Sequence, residues 1–164
     1  MFQRILVPFD GSHASYRGLE EAIKLAAGQP VTLYLLHVVD DLAATPGMDG
    51  AIYISAPLGE NLLRTLREGG ERLLAKAEAQ AAKANVKTRT ILVETRGYGV
   101  ADVILRQSVN AGADLIVMGT HGRRGLARLV MGSDAEGVVR ETSVPVLLVR
   151  AQDAPQARAE RPAQ

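Results

Sequence analysis

Five short apolar runs punctuate the chain, and between them lie longer segments with helical spacing. The apolar runs fall near residues 3–9, 30–39, 87–93, 113–118 and 144–149. Each is close to continuous in Val, Ile and Leu rather than alternating with polar residues, as expected of strands covered on both faces. Helical patterns occupy residues 13–27, 59–84, 100–111 and 134–142. The longest carries Leu62, Leu63, Leu66, Leu73, Leu74, Ala77 and Ala81 on one stripe. Gly69-Gly70 interrupts that stripe, and a kink or split is expected there. Strand and helix thus alternate in the rhythm of βαβ units. The pattern predicts a Rossmann-like α/β fold: an open five-stranded parallel sheet with helices on both faces.

Two segments stand outside this rhythm. Residues 40–58 form a long connection rich in Ala, Asp, Gly and Pro, with apolar Ala51-Ile52-Tyr53-Ile54 inside it. Connections of this length are either surface excursions or functional lids and partner contacts, and the pattern leaves both readings open. Residues 151–164 hold Pro155 and Pro162 among polar residues and Ala, without apolar periodicity, and are expected to form a disordered tail. One domain over residues 1–150 is therefore expected.

Composition narrows the function classes. A chain of 164 residues buries roughly 70% of its unfolded surface, enough for one sizeable core. With 47% hydrophobic but only 4% aromatic residues, that core must be aliphatic. Nineteen basic and 18 acidic residues leave a net charge of +1, so no global field draws nucleic acid or an acidic membrane. Without cysteine there are no disulfides, thiolate nucleophiles or thiolate metal ligands. No signal-peptide pattern opens the chain, and no run approaches the roughly 18–20 apolar residues of a membrane span. A cytoplasmic location is expected.

The chemistry concentrates after the fourth apolar run. Leu115-Ile116-Val117-Met118 leads directly into Gly119-Thr120-His121-Gly122, and Gly132-Ser133 follows nine residues after Gly122. Glycines so spaced let a loop fold back and bring backbone amides to a bulky anion, since glycine tolerates positive φ and has no Cβ. Ser133 is read as the start of a helix, with Ser133-Asp134-Ala135-Glu136 as a capping box. The unpaired N–H groups and dipole of such a helix end suit phosphate. Asp134 sits just inside that end, where its carboxylate favours the dipole and opposes a phosphate.

This Gly-x2-Gly-x9-Gly-Ser pattern resembles the nucleotide-binding signature of the universal stress protein family. Ile5-Leu6-Val7-Pro8-Phe9-Asp10-Gly11-Ser12 is similar to the family's first strand and acidic turn. Leu36-His37-Val38-Val39 is similar to the end of its second strand, and Val144-Pro145-Val146-Leu147-Leu148-Val149 to its last. The resemblance implies a strand order of 3-2-1-4-5 and a bound adenine nucleotide, ATP with Mg²⁺ as a possible partner. It further implies that the main chain of Val38 reads the adenine edge and that Pro8 lines the base and ribose pocket. It also implies dimers formed through strand 144–149, which in that order is an apolar sheet edge.

Ligands of open α/β sheets sit beyond the strands' carboxyl ends, where strand order reverses. With the implied order, Asp10 and Gly119 meet in one crevice. Gly119, Thr120, His121, Gly122, Arg123, Arg124, Gly125, Gly132, Ser133, Asp134 and Ala135 are then the candidate phosphate contacts. Asp10 is a candidate for a ribose hydroxyl or for the Mg²⁺, and equally a helix cap working with Ser12. His121 between glycines reads as a turn residue, and His13 and His37 lack metal-ligand spacing. Three functions compete. A regulatory nucleotide-binding module fits the intact glycine motif. A slow ATP hydrolase or phosphotransferase is the alternative, although no Walker lysine, carboxylate pair or Ser-His-Asp set is present. The third is a dimeric scaffold that needs no nucleotide.

Overall fold

The computed structural model describes residues 2–40, 56–120 and 131–150. In chain order the elements are β1 (Arg4–Pro8), α1 (His13–Ala26), β2 (Thr32–Val39), α2 (Ala56–Ala82), β3 (Lys87–Glu94), α3 (Val100–Asn110), β4 (Leu115–Gly119), α4 (Ser133–Glu141) and β5 (Val146–Val149). All four strand pairings are parallel, and the sheet order is β3-β2-β1-β4-β5. The expected architecture and strand order are both present. The tail 151–164, and most of the connection 40–58, lie outside the described residues.

Continuous apolar strands make two cores because successive side chains point to opposite faces. Ile5, Val7, Leu33, Leu35 and Val117 face α1 and α2, where Leu19, Ala22, Leu74 and Ala77 cover them. Leu6, Leu36, Ile116 and Met118 face the other way and pack with Ile104 of α3 and Ala135 and Val138 of α4. The central strand β1 has three fully buried residues, Ile5, Leu6 and Val7. Its start is tied to β4 through Asp114, whose carboxylate accepts the amides of Gln3 and Arg4 at 2.8 and 3.0 Å.

Three expectations need correction. β3 is not continuously apolar: Lys87, Arg89 and Thr90 are exposed, because β3 is an edge strand and its first half has water on one side. α2 is not split at Gly69-Gly70 but runs unbroken from Ala56, three positions before the predicted start at 59. Pro57 is tolerated there because the first turn of a helix has N–H groups without acceptors in any case. The stripe along α2 is buried only from Gly70 onward, with Leu62 and Leu66 exposed. At Gly70 the helix packs tightly against β2 and β3. A Cβ on it would stand 2.5 Å from His37 Cδ2 and 2.7 Å from Leu92 Cδ1.

Among the described residues no helix is long and apolar enough to cross a membrane.

Candidate functional site

β1 and β4 leave the sheet as neighbours and send their chains in opposite directions, β1 into α1 and β4 toward α4. A cavity of about 690 Å³ opens at this divergence. Pro8, Asp10 and Val38 line it from the β1–β2 side, and Gly119 and Thr120 from the end of β4. Gly132, Ser133, Asp134 and Ala135 line it from the start of α4. Nine candidate residues from three distant parts of the sequence therefore share one space. The other five, His121, Gly122, Arg123, Arg124 and Gly125, lie outside the described residues.

Local chemistry fixes each wall. Gly11, at φ +79, turns the chain after β1. Asp10 Oδ1 accepts the Ser12 amide at 2.9 Å. Ser12 in turn caps α1 by accepting the Ser15 amide at 3.2 Å. Of the two roles the sequence left open, the capping turn is the one Asp10 performs, and the residue also lines the cavity. On the opposite wall, α4 begins one residue earlier than expected. Gly132 is the N-cap in an extended conformation, φ −65 and ψ 148, and Ser133 is the first helical residue. The Ser133–Glu136 capping box does not form, because Ser133 already has helical geometry and cannot present its hydroxyl to a later amide. The helical ladder opens with the Glu136 amide on the Gly132 carbonyl at 2.9 Å. The amides of Ser133 and Ala135 precede it, as an anion-binding helix end requires.

The glycines act differently from expectation. Neither Gly119 nor Gly132 has positive φ. Gly119 is small because α1 lies on it: a Cβ there would stand 2.7 Å from the Ala14 carbonyl carbon and 2.7 Å from its Cβ. The Gly132 amide donates to Thr120 O at 2.9 Å, and the Thr120 amide to Val149 O at 3.0 Å. Both amides are thus taken by main-chain carbonyls, the second extending the β4–β5 pairing, while the amides of Ser133 and Ala135 lie in the first turn of α4. Asp134 in that turn is exposed while it lines the cavity.

Several wall residues were missed. His37 is buried, with Nδ1 at 2.7 Å from the Phe9 carbonyl. Since a carbonyl only accepts, Nδ1 carries the proton, and the ring locks the end of β1 to β2. Asp40, just past β2, adds a second carboxylate to the residues lining the cavity; its place beyond a strand's carboxyl end was the available signal. Thr65, Leu66, Gly69, Gly70 and Leu73 form a wall contributed by α2. No local motif marks them, because their place depends on how α2 lies across the sheet. Among the described residues no group of three or more His, Asp or Glu is arranged to hold a metal ion.

Over residues 1–150 the chain matches the universal stress protein family. It belongs to that family. Universal stress protein YxiE of Bacillus subtilis is 31% identical over 92% of this chain and 100% of its own length. The solved structure of universal stress protein UspA from Lactobacillus plantarum has a TM-score of 0.75 at 26% identity, covering 90% of this chain and 97% of that one. Two more distant universal stress protein structures hold ligands. One is a complex with cAMP (TM-score 0.61, 20% identity, 92% of this chain and 98% of that one). The other is the Archaeoglobus fulgidus protein with dAMP (0.57, 21%, 90% and 97%). At such identities these two show a shared fold.

Proposed function

We propose that this universal stress protein is a regulatory module that holds an adenine nucleotide, ATP with Mg²⁺ among the candidates, without fast turnover. The observation that carries the reading is the convergence of Asp10 and the first turn of α4 on one cavity where the sheet changes direction. The helix end supplies amides and a positive dipole for phosphate. Val38 and Pro8 flank the room left for base and ribose. Relatives of the same fold in complex with cAMP and dAMP support the adenosine-phosphate class. Mg²⁺ is commonly bound through one or two carboxylates together with phosphate oxygens and water. Asp10 and Asp40, both lining the cavity, are the carboxylates available for that donor set, Asp10 having one oxygen already engaged by Ser12.

Micromolar binding corresponds to about −8 kcal/mol. Ligand at a hundredfold excess over Kd should raise stability by about 2.7 kcal/mol. Thermal denaturation with Mg-ATP, ADP, AMP and cAMP tests this directly, and a melting temperature indifferent to all four would end the reading. Turnover should lie well below the ~10 s⁻¹ median of enzymes. Phosphate release at that rate, tracking the purified protein, would make it a hydrolase instead. Assembly through β5 belongs to the same proposal. The strand is an edge, and Leu147 on it is exposed. Sedimentation should report a dimer at tens of micromolar that Leu147→Lys weakens, and a monomeric parent would count against it.

A further inference from the structure

A second cleft, of about 480 Å³, lies on the β3 side of the same sheet edge. Arg67 of α2, Glu94 and Arg96 at the end of β3, Tyr98, and Arg106 of α3 line it. The Glu94 side chain, only 16% exposed, pairs directly with Arg67 and lies 3.7 Å from Arg96 Nε. One carboxylate therefore gathers two guanidinium groups. The third guanidinium lies over the Tyr98 ring, 4.7 Å from its centre. Three arginines against one glutamate leave positive charge in excess among the lining groups.

The backbone is unusual at the same place. Arg96 has φ +47 and Gly97 φ +83. A non-glycine residue in this region costs on the order of 1 kcal/mol and persists where the surroundings impose it. Here Thr95 is buried and its carbonyl accepts the Tyr98 amide at 2.9 Å, closing the turn. The Arg96 side chain is 82% exposed and lines the same cleft as the other two cations.

We propose that this cleft is a second anion site, taking a small molecule with two or more phosphate or carboxylate groups. Guanidinium forks bind both groups in bidentate fashion, and Glu94 and Tyr98 hold the forks in place before the ligand arrives. A singly charged anion would meet the repulsion of Glu94 with little in return, which selects for multiple charge. Val39, at the end of β2, lines this cleft and the larger cavity alike, so the two sites are neighbours. The inference does not depend on nucleotide binding in the larger one.

The test is amide NMR of the full chain titrated with pyrophosphate and, separately, with citrate, at constant ionic strength. Saturable shifts of residues 94–99 and 106–107 are expected with at least one probe, and the probe that works separates phosphate from carboxylate. Arg106→Gln and Arg96→Gln should each weaken them by about tenfold, the loss of one charged hydrogen-bonding partner. The exposed Arg106 serves alone if Arg96→Gln, at the strained turn, does not fold. Shifts confined to residues 119–120 and 132–135, shifts reproduced by NaCl, or undiminished shifts in the variants would each overturn the proposal.

Discussion

Gly119 and Gly132 belong to the same sequence motif, yet they sit in different settings. Gly119 is pressed against the backbone of α1, and its missing Cβ is room taken by protein. Gly132 has a backbone conformation open to any residue, and it borders the cavity. One glycine lets α1 pack on β4, and the other caps α4 at the cavity wall. A motif that reads as a single device holds at least two.

Substitution should separate them. Gly119→Ala drives a methyl into the Ala14 main chain, which cannot rotate away, and a loss of about 3 kcal/mol is expected. Chemical denaturation measures it, and a loss under about 1 kcal/mol would erase the distinction. Gly132→Val should fold, with a loss of about 1 kcal/mol for a poor N-cap residue. Its two methyl groups crowd the first turn of α4, so Mg-ATP affinity by calorimetry should fall by about tenfold or more, equivalent to about 1.4 kcal/mol. A folded Gly132→Val that binds like the parent would break the comparison on its other side.

The adjacent glycines of α2 sharpen it further. Gly70→Ala meets His37, which its bond to Phe9 holds in place, and Leu92, whose tip can shift. Overpacking of about 2 kcal/mol, offset by about 1 kcal/mol of helix propensity, leaves a net loss of about 1 kcal/mol. Gly69→Ala has only the end of Arg72 nearby, at 4.0 Å. It should stabilise by up to about 1 kcal/mol. Thermal melts of opposite sign are expected, and equal ones would show that α2 does not bear on His37 as described. The smallest effect concerns Asp134→Asn. Removing an exposed carboxylate in the first turn of α4 should tighten Mg-ATP about twofold and cost about 0.5 kcal/mol of helix-dipole stabilisation. Weaker binding in that variant would mean that Asp134 serves the ligand.

Periodicity alone made nine elements legible, and the residues just past β1 and β4 followed from where ligands sit in such sheets. The strand order came with the resemblance, and it holds. What stayed hidden depends on packing between distant segments. The wall that α2 gives the cavity is invisible because Thr65, Gly69 and Gly70 acquire their place only when the helix docks. The role of Gly119 was misread for the same reason: a residue from α1, more than a hundred positions away, is what needs the space. The polar start of β3 reflects its edge position, which local pattern does not report. The helix start at Ser133 instead of after it is a one-residue matter of cap geometry.

The Asp114 clasp on the first residues of β1 also has a meaning for synthesis. β1 is the central strand, it is made before the other four, and one of its two partners is β4, whose first residue is Leu115. At about 5–20 residues per second, the ribosome needs roughly 5–20 s to travel from one to the other. For that interval β2 can pair one side of β1 while the other presents Ile5, Leu6 and Val7 as an open apolar edge. The nascent chain is therefore exposed to wrong pairing at its innermost strand, and the clasp that ends the exposure is among the later contacts to become available.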